Sequence, residues 1–249
     1  MAIVSAMQHE LRALLPLISD HASTRLAGRI FHHGTIHGQR VVLVVSGIGK
    51  VAAATTAVLL MHEFDARALV FTGVAGGLQC GVEVGDVVVA QQLLQHDLDA
   101  SPLYPPFEVP MTGRSRFNAD PTLADALAGA ARRCLSRAEP LVGAGHTGSL
   151  GIDAPRVHEG LIVSGDRFIA SAAQSGELRA LLPDALAVDM ESAAVAQVCA
   201  DFERPFAVLR TISDRADDQA PTDFTRFIDE VASVYTHVIV DAWLQQADR

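Results

Sequence analysis

Short runs of β-branched and other apolar residues, each closing on glycine or a polar cluster, alternate with helix-patterned segments along all 249 residues. That alternation limits the chain to an α/β architecture: strands separated by helices pair into a mixed or mostly parallel sheet, which needs helices on both faces to cover it. Ala2–Ala6 reads as a strand and Gln8–Ile18 as an amphipathic helix. Arg29–His37 and Arg40–Ser46 read as strands around a Gly38-Gln39 turn, with a helix over Ala52–Phe64. Strands are expected at Ala68–Thr72, Asp86–Ala90, Arg156–Ser164, Ala185–Val188 and Phe206–Leu209. Helices are expected at Pro121–Leu135 and Ser171–Leu182, with one long final helix at Asp223–Leu244. No low-complexity linker or internal repeat divides the pattern, so residues 1–249 are expected to form a single domain around a mixed central sheet.

Two stretches fall outside the alternation. Ser101–Asn118 contains Pro102, Pro105, Pro106 and Pro110, and its Leu103, Tyr104 and Phe107 would be exposed unless a partner covered them; long irregular loops of this kind are usually functional or interfacial. Gly143–Gly151 is polar and reads as a surface hairpin or loop.

Composition removes several function classes. A net charge of -10 repels phosphate backbones, and Arg132 and Arg133 sit in a helical apolar pattern rather than in a basic stripe, so no nucleic acid partner is expected. Apolar runs such as Val41–Val45 end well short of a membrane span, and no basic, then apolar, leader opens the chain. Cys80, Cys134 and Cys199 are odd in number and widely spaced, as suits reduced thiols, so a cytoplasmic location is expected. Ten histidines fall in no zinc-ligand spacing, and neither a metal nor another cofactor is expected.

The chemistry lies at strand ends. Asp189-Met190-Glu191-Ser192 follows Ala185–Val188, and Arg210-Thr211-Ile212-Ser213-Asp214 follows Phe206–Leu209, which puts carboxylates and an arginine at the carboxyl edge of the sheet, where α/β proteins build ligand sites. Alone, Glu191 is equally a helix N-terminal acid and Asp214 a turn former; together with Arg210 they point to a site. Gly47-Ile48-Gly49-Lys50-Val51-Ala52 matches a dinucleotide fingerprint, but the next strand ends at Thr72-Gly73 without the acid that holds a ribose. It is not a P-loop either, since Lys50 is followed by Val51. What remains is a close backbone approach at a helix N-terminus. Thr72–Gly77 reads as a second glycine turn converging on the same pocket.

Taken in order, Ala6-Met7-x-x-Glu10, Ser46–Ala53, Thr72-Gly73-x-Ala75-Gly76-Gly77, Gly160–Ile169, Met190-Glu191 and Arg210-x-Ile212-Ser213-Asp214 resemble the 5'-methylthioadenosine/S-adenosylhomocysteine nucleosidases. These are a branch of the purine nucleoside phosphorylase and uridine phosphorylase superfamily, and the resemblance runs from about Ile3 to about Trp243. It implies a nucleoside phosphorylase-like fold and cleavage of the adenine N9–ribose bond through an oxocarbenium-like transition state. By resemblance, Asp214 protonates adenine N7, Glu10 activates the water, and Glu191 accepts hydrogen bonds from ribose hydroxyls with Met190 packed on the sugar. Phe168 would stack on the base, the Ile169 backbone would bond its edge, and Ser213 would position Asp214. Met7, Ile48 and Phe224 would line the sugar and alkylthio region, and Arg210 would hold Glu10 or the water. From the apolar side chains of the proline-rich loop Ser101–Met111 and from the resemblance, a homodimer is expected whose partner contributes apolar side chains to the pocket.

Three departures stand out. Val74 replaces the serine of the best-known members, and Asp189 stands where they often have glutamate; in addition, Leu135–Val157 is longer than in compact members. Among rival readings, phosphorolysis is disfavoured because Glu10 would repel phosphate and Val74 supplies no hydroxyl. A hydrolase of another purine nucleoside such as futalosine stays open. A nucleoside-binding protein without turnover is disfavoured by the presence of Glu10, Glu191 and Asp214 together.

Overall fold

In the computed structural model, residues 1–136, 152 and 154–246 are described, so the Gly143–Gly151 run and most of the 135–157 insertion lie outside the described residues. Ten strands form one mixed sheet. They are β1 Ala2–Ser5, β2 Ser19–Leu26, β3 Arg29–Ile36, β4 Gln39–Val45, β5 Leu69–Gly77, β6 Val87–Gln95, β7 Arg116–Asn118, β8 Val157–Ser164, β9 Ala185–Asp189 and β10 Phe206–Asp214. The helices α1 Gln8–Arg12, α2 Lys50–Glu63, α3 Pro121–Leu135, α4 Ala172–Leu181, α5 Ser192–Asp201, α6 Ala220–Phe227 and α7 Ser233–Leu244 flank it.

β5 organises the sheet. It runs parallel to β1 and β10, and its last residues, Gly76 and Gly77, pair antiparallel with Val188 and Ala187 of β9. Since β10 also pairs β6, β6 pairs β8, and β8 pairs β9, these five strands close on themselves. β1, β4, β3 and β2 extend the sheet outward from β5. Closure brings the carboxyl ends of β5 and β9 together. Burial follows: β5 and β10 are covered on both faces, and a core cluster extends from Ala2 to Leu244.

Several expectations needed correction. Thr72–Gly77 is not a turn but the second half of β5, because its glycines let neighbouring side chains lie against the backbone without ending the pairing. Arg210 and Asp214 likewise sit inside β10, not in a loop after it. The first helix stops at Arg12 and a 3-10 turn at Leu15–Leu17 follows, as Pro16 cannot donate to a continuing helix. The final helix is two helices, α6 and α7, joined by a wide π-helical turn at Ile228–Ala232. The hairpin turn between β3 and β4 is His37-Gly38, both at positive φ, so Gln39 already belongs to β4. Within Ser101–Asn118 there is a short strand, β7, and a bridge between Val109 and Arg114; in the single chain Leu103 is exposed, whereas Tyr104 and Phe107 are already half-buried, Phe107 against a second core cluster. Among the described residues, no helix is long and apolar enough to cross a membrane.

Candidate active site

The carboxyl ends of β1, β4, β5, β8, β9 and β10 meet around one cavity of about 240 Å³. Eleven of the twelve residues singled out in the sequence line it. Met7 and Glu10 come from the start of α1, Ile48 from the loop before α2, and Val74 from β5. Phe168 and Ile169 follow β8, Met190 and Glu191 follow β9, Ser213 and Asp214 end β10, and Phe224 comes from α6. The twelfth, Arg210, lies outside the lining and is fully buried. Arg167 and Asp189 also line the cavity and were not singled out as site residues. For Asp189 a signal existed: an acid at a strand end, two residues before Glu191.

Arg210 organises the acids. Its Nε donates to Asp189 Oδ2 at 2.7 Å, its Nη2 lies 3.8 Å from Glu191 Oε2, and its guanidinium carbon sits 4.1 Å from the centre of the Phe71 ring. Asp189 is saturated. Ser164 Oγ donates to it at 2.5 Å, the Ser192 hydroxyl and the Glu191 and Ser192 amides also donate, and Ser164 Oγ in turn accepts from Ala193 N–H at 2.8 Å. Burial alone would raise the Asp189 carboxyl, but Arg210 and the two serine hydroxyls outweigh it and hold it below the ordinary aspartate range.

Glu10 lies on the other side of the guanidinium. A methyl built on Gly73 would come within 2.3 Å of Arg210 Nη1 and 3.1 Å of Glu10 Oε1, so one point touches both groups. Glu10 Oε2 accepts from Met7 N–H at 3.2 Å, closing the first turn of α1. Glu10 Oε1, Arg210 Nη1 and Arg210 Nη2 are buried with no hydrogen-bond partner among the described residues. Burial drives the Glu10 carboxyl up to about 7, with Arg210 opposing and Glu191 adding to the rise. Glu191 also rises to about 7, through burial and the charge of Asp189, against Arg210.

Asp214 occupies the opposite wall. Ser213 Oγ lies 2.8 Å from its Oδ2, Ala216 N–H donates to its Oδ1 at 2.9 Å, and the Ala75 carbonyl is 3.4 Å from the same serine hydroxyl. Gly76 makes room for it, since a Cβ there would fall 2.9 Å from Asp214 Oδ1. Burial raises the Asp214 carboxyl above its ordinary value, the two hydrogen bonds opposing and Asp223 and Asp217 reinforcing. Phe168 and Phe224 meet edge to face, ring centres 5.6 Å apart, beside this wall. The cavity thus offers three carboxyls raised by burial, two of them to about 7, with the buried Arg210 guanidinium behind its lining and an apolar aromatic surface. That combination suits cleavage of a bond between a basic leaving group and a carbon that becomes cationic.

Comparison with known proteins agrees with this chemistry. The family model described as the phosphorylase superfamily matches residues 1–244. A 5'-methylthioadenosine/S-adenosylhomocysteine nucleosidase of Chromohalobacter salexigens is 35% identical over 246 residues, 98% of this chain and 96% of that protein. The crystal structure of the nucleosidase of that name from Neisseria meningitidis, in complex with methylthio-immucillin-A, superposes with a TM-score of 0.86 at 34% identity, covering 98% of each chain. A futalosine hydrolase mutant of Helicobacter pylori superposes with a TM-score of 0.82 at 30% identity, again over 98% of each chain. The chain belongs to the phosphorylase superfamily and, within it, to the 5'-methylthioadenosine/S-adenosylhomocysteine nucleosidases.

Proposed function

We propose that the protein hydrolyses the N-glycosidic bond of 5'-methylthioadenosine and S-adenosylhomocysteine, releasing adenine and the 5-thioribose product, as a single domain over residues 1–249. One observation carries this reading: Glu10 Oε1 and the Nη atoms of Arg210 are buried, adjacent and without hydrogen-bond partners among the described residues, beside a cavity whose far wall holds Asp214. A water between Glu10 and Arg210 would find an acceptor and donors together. With a pKa near 7, Glu10 can accept that water's proton at neutral pH.

Asp214 is the acid in this scheme. Burial makes its carboxyl hold a proton more readily than a free aspartate, and donation of that proton to adenine N7 lets the electron pair of the breaking N9–ribose bond leave on a neutral adenine. The Ser213 hydroxyl can donate to the ionised carboxylate after transfer and turn to the Ala75 carbonyl before it, so the carboxyl has a partner in both states. Glu191, held through Oε1 by the Gly49 amide at 2.9 Å, accepts from ribose hydroxyls while Met190 packs on the sugar. Phe168 stacks on the base, the Ile169 backbone bonds its edge, and Met7, Ile48 and Phe224 take the alkylthio group.

Phosphate fits this site poorly. Arg210 is shared by Asp189, Glu191 and Glu10, and Val74 offers no hydroxyl, so little positive charge is left for a second anion. The futalosine hydrolase likeness supports a second reading, in which the nucleoside cleaved is futalosine. Incubation with methylthioadenosine, S-adenosylhomocysteine and futalosine separates the two: adenine release from the first pair supports the proposal, and base release from futalosine alone refutes it.

We also propose a cytoplasmic homodimer acting in methionine salvage. Leu103 and Met111 in the proline-rich loop and Ile48 at the cavity rim are large exposed apolar side chains that a second copy would cover. Cys80, Cys134 and Cys199 are thiols rather than disulfide halves, which suits a reducing compartment.

A further inference from the structure

The Gly47-Ile48-Gly49-Lys50 segment has the form of an anion-binding helix start, and its anions turn out to be the protein's own. At the N-terminus of α2, Gly49 N–H donates to Glu191 Oε1 at 2.9 Å and Lys50 N–H donates to Asp166 Oδ1 at 2.8 Å. The Lys50 ammonium pairs with Asp97 Oδ1, and Asp97 Oδ2 accepts from Asp166 N–H at 2.8 Å. These links close a ring: Lys50 amide to Asp166, Asp166 amide to Asp97, Asp97 to the Lys50 ammonium. It ties together the segments that follow β4, β6 and β8. The Lys50 and Asp97 side chains keep only 16% and 26% of their exposure, which lifts this pair out of the class of freely solvated surface bridges.

There is little slack around the ring. Gly49 has φ +96°, and a Cβ on it would stand 3.1 Å from Asp166 Oδ1; a Cβ on Gly165 would stand 3.0 Å from the Asp97 carboxyl carbon. On one side the ring borders Gly49, whose amide holds Glu191. On the other it borders Phe168, two residues beyond Asp166, on the cavity wall.

We propose that Lys50 and Asp97 are positioning residues that fix Glu191 relative to Phe168, and so set the spacing between the sugar and base halves of the site. The proposal rests on the assignment of Glu191 to the ribose hydroxyls and Phe168 to the base. Its physical content is direct. Arg210 lies 3.8 Å from the other Glu191 oxygen and the Met190 amide also favours the carboxylate, so release of the Gly49 amide removes the 2.9 Å hydrogen bond that ties Glu191 to the start of α2. A displacement of about 1 Å at a reacting centre costs about 10²-fold in rate.

The test pairs the variants Lys50→Met, Asp97→Asn and Lys50→Arg with three substrates: methylthioadenosine and its analogues lacking the 2' or the 3' hydroxyl. Lys50→Met and Asp97→Asn are expected to lower kcat/KM for methylthioadenosine by about 10- to 100-fold. On the analogue lacking the hydroxyl that Glu191 accepts, where that contact is already gone, the further loss should be no more than about threefold. Lys50→Arg, which keeps the ion pair, should stay within about fivefold of wild type. A wild-type enzyme indifferent to both hydroxyls overturns the Glu191 assignment and the proposal with it. If the wild type does discriminate but Lys50→Met or Asp97→Asn loses the same factor on all three substrates, or loses nothing, the positioning role alone is overturned. Circular dichroism checks folding, and Asp97→Asn carries the test if Lys50→Met does not fold.

Discussion

Gly73→Ala adds one methyl where the account leaves no room for it. The new Cβ would stand 2.3 Å from Arg210 Nη1, 3.3 Å from its Cζ and 3.1 Å from Glu10 Oε1. Ordinary contacts between such atoms begin near 3.5 Å, so the guanidinium must retreat by about 1 Å. It has nowhere easy to go. Its Nε is bonded to Asp189 at 2.7 Å, its face lies on Phe71, and the residue is 0% exposed. Gly73 is not in the left-handed region, so alanine strains no backbone and the effect is that of the methyl alone. A 1 Å error in this group is expected to lower kcat/KM for methylthioadenosine by about 10²-fold, equivalent to about 2.7 kcal/mol. Overpacking is expected to cost about 1–3 kcal/mol of stability. The assay is adenine release together with a thermal melt. A Gly73→Ala enzyme within about threefold of wild type in kcat/KM, at an unchanged Tm, would refute the claim that Arg210 is held in one working position.

The other predictions are briefer. Asp214→Asn removes the proton donor at nearly constant shape and should lower adenine release by about two to four orders of magnitude, with folding intact; retention of more than about a tenth of the activity rejects the acid role. Wild-type kcat/KM should rise with pH through about 7 as Glu10 ionises, and Glu10→Gln should suppress kcat far more than binding; an acidic limb near the ordinary glutamate pKa removes Glu10 as the base. Because the Glu10 pKa is raised in the folded protein, its contribution favours folding at low pH and is lost as pH rises through about 7. Glu10→Gln should therefore raise stability at pH 8 by about 2–3 kcal/mol, with a matching rise in Tm, and leave it nearly unchanged at about pH 4, below the unfolded pKa, which pH-dependent melts without substrate can check. Methylthioadenosine should be cleaved far better than adenosine, since Met7, Ile48 and Phe224 gain about 0.8 kcal/mol per buried methylene-sized group; equal efficiencies on the two contradict an alkylthio pocket.

Much of the frame was legible because apolar periodicity reports burial. Pro121–Leu135 was read with its ends correct, helped by Asp120, which caps it through Leu123 N–H, and by Pro121 at the first helical position. β2 was invisible for the converse reason: Ser19–Leu26 is an edge strand exposed along nearly its whole length, so no alternation marks it. The site was legible as a set of strand-end residues but not as a charge network. That Arg210 answers first to Asp189, or that Gly49 holds Glu191, depends on β5 meeting β9 and on α2 meeting the segment after β9. Such pairings join residues far apart in the chain, and no local pattern encodes them. Gly73 and Gly76 read as turn formers for the same reason, although their work is to accept Arg210 and Asp214 against a continuing strand.

The central claim is that water, not phosphate, takes the sugar. Methylthioadenosine turned over in phosphate-free buffer and again with added inorganic phosphate, with the pentose product analysed by phosphorus NMR, tests it most directly. The account predicts equal rates of adenine release and no sugar phosphate in either case. Release that requires phosphate, with one equivalent of a pentose 1-phosphate formed per adenine, would contradict it.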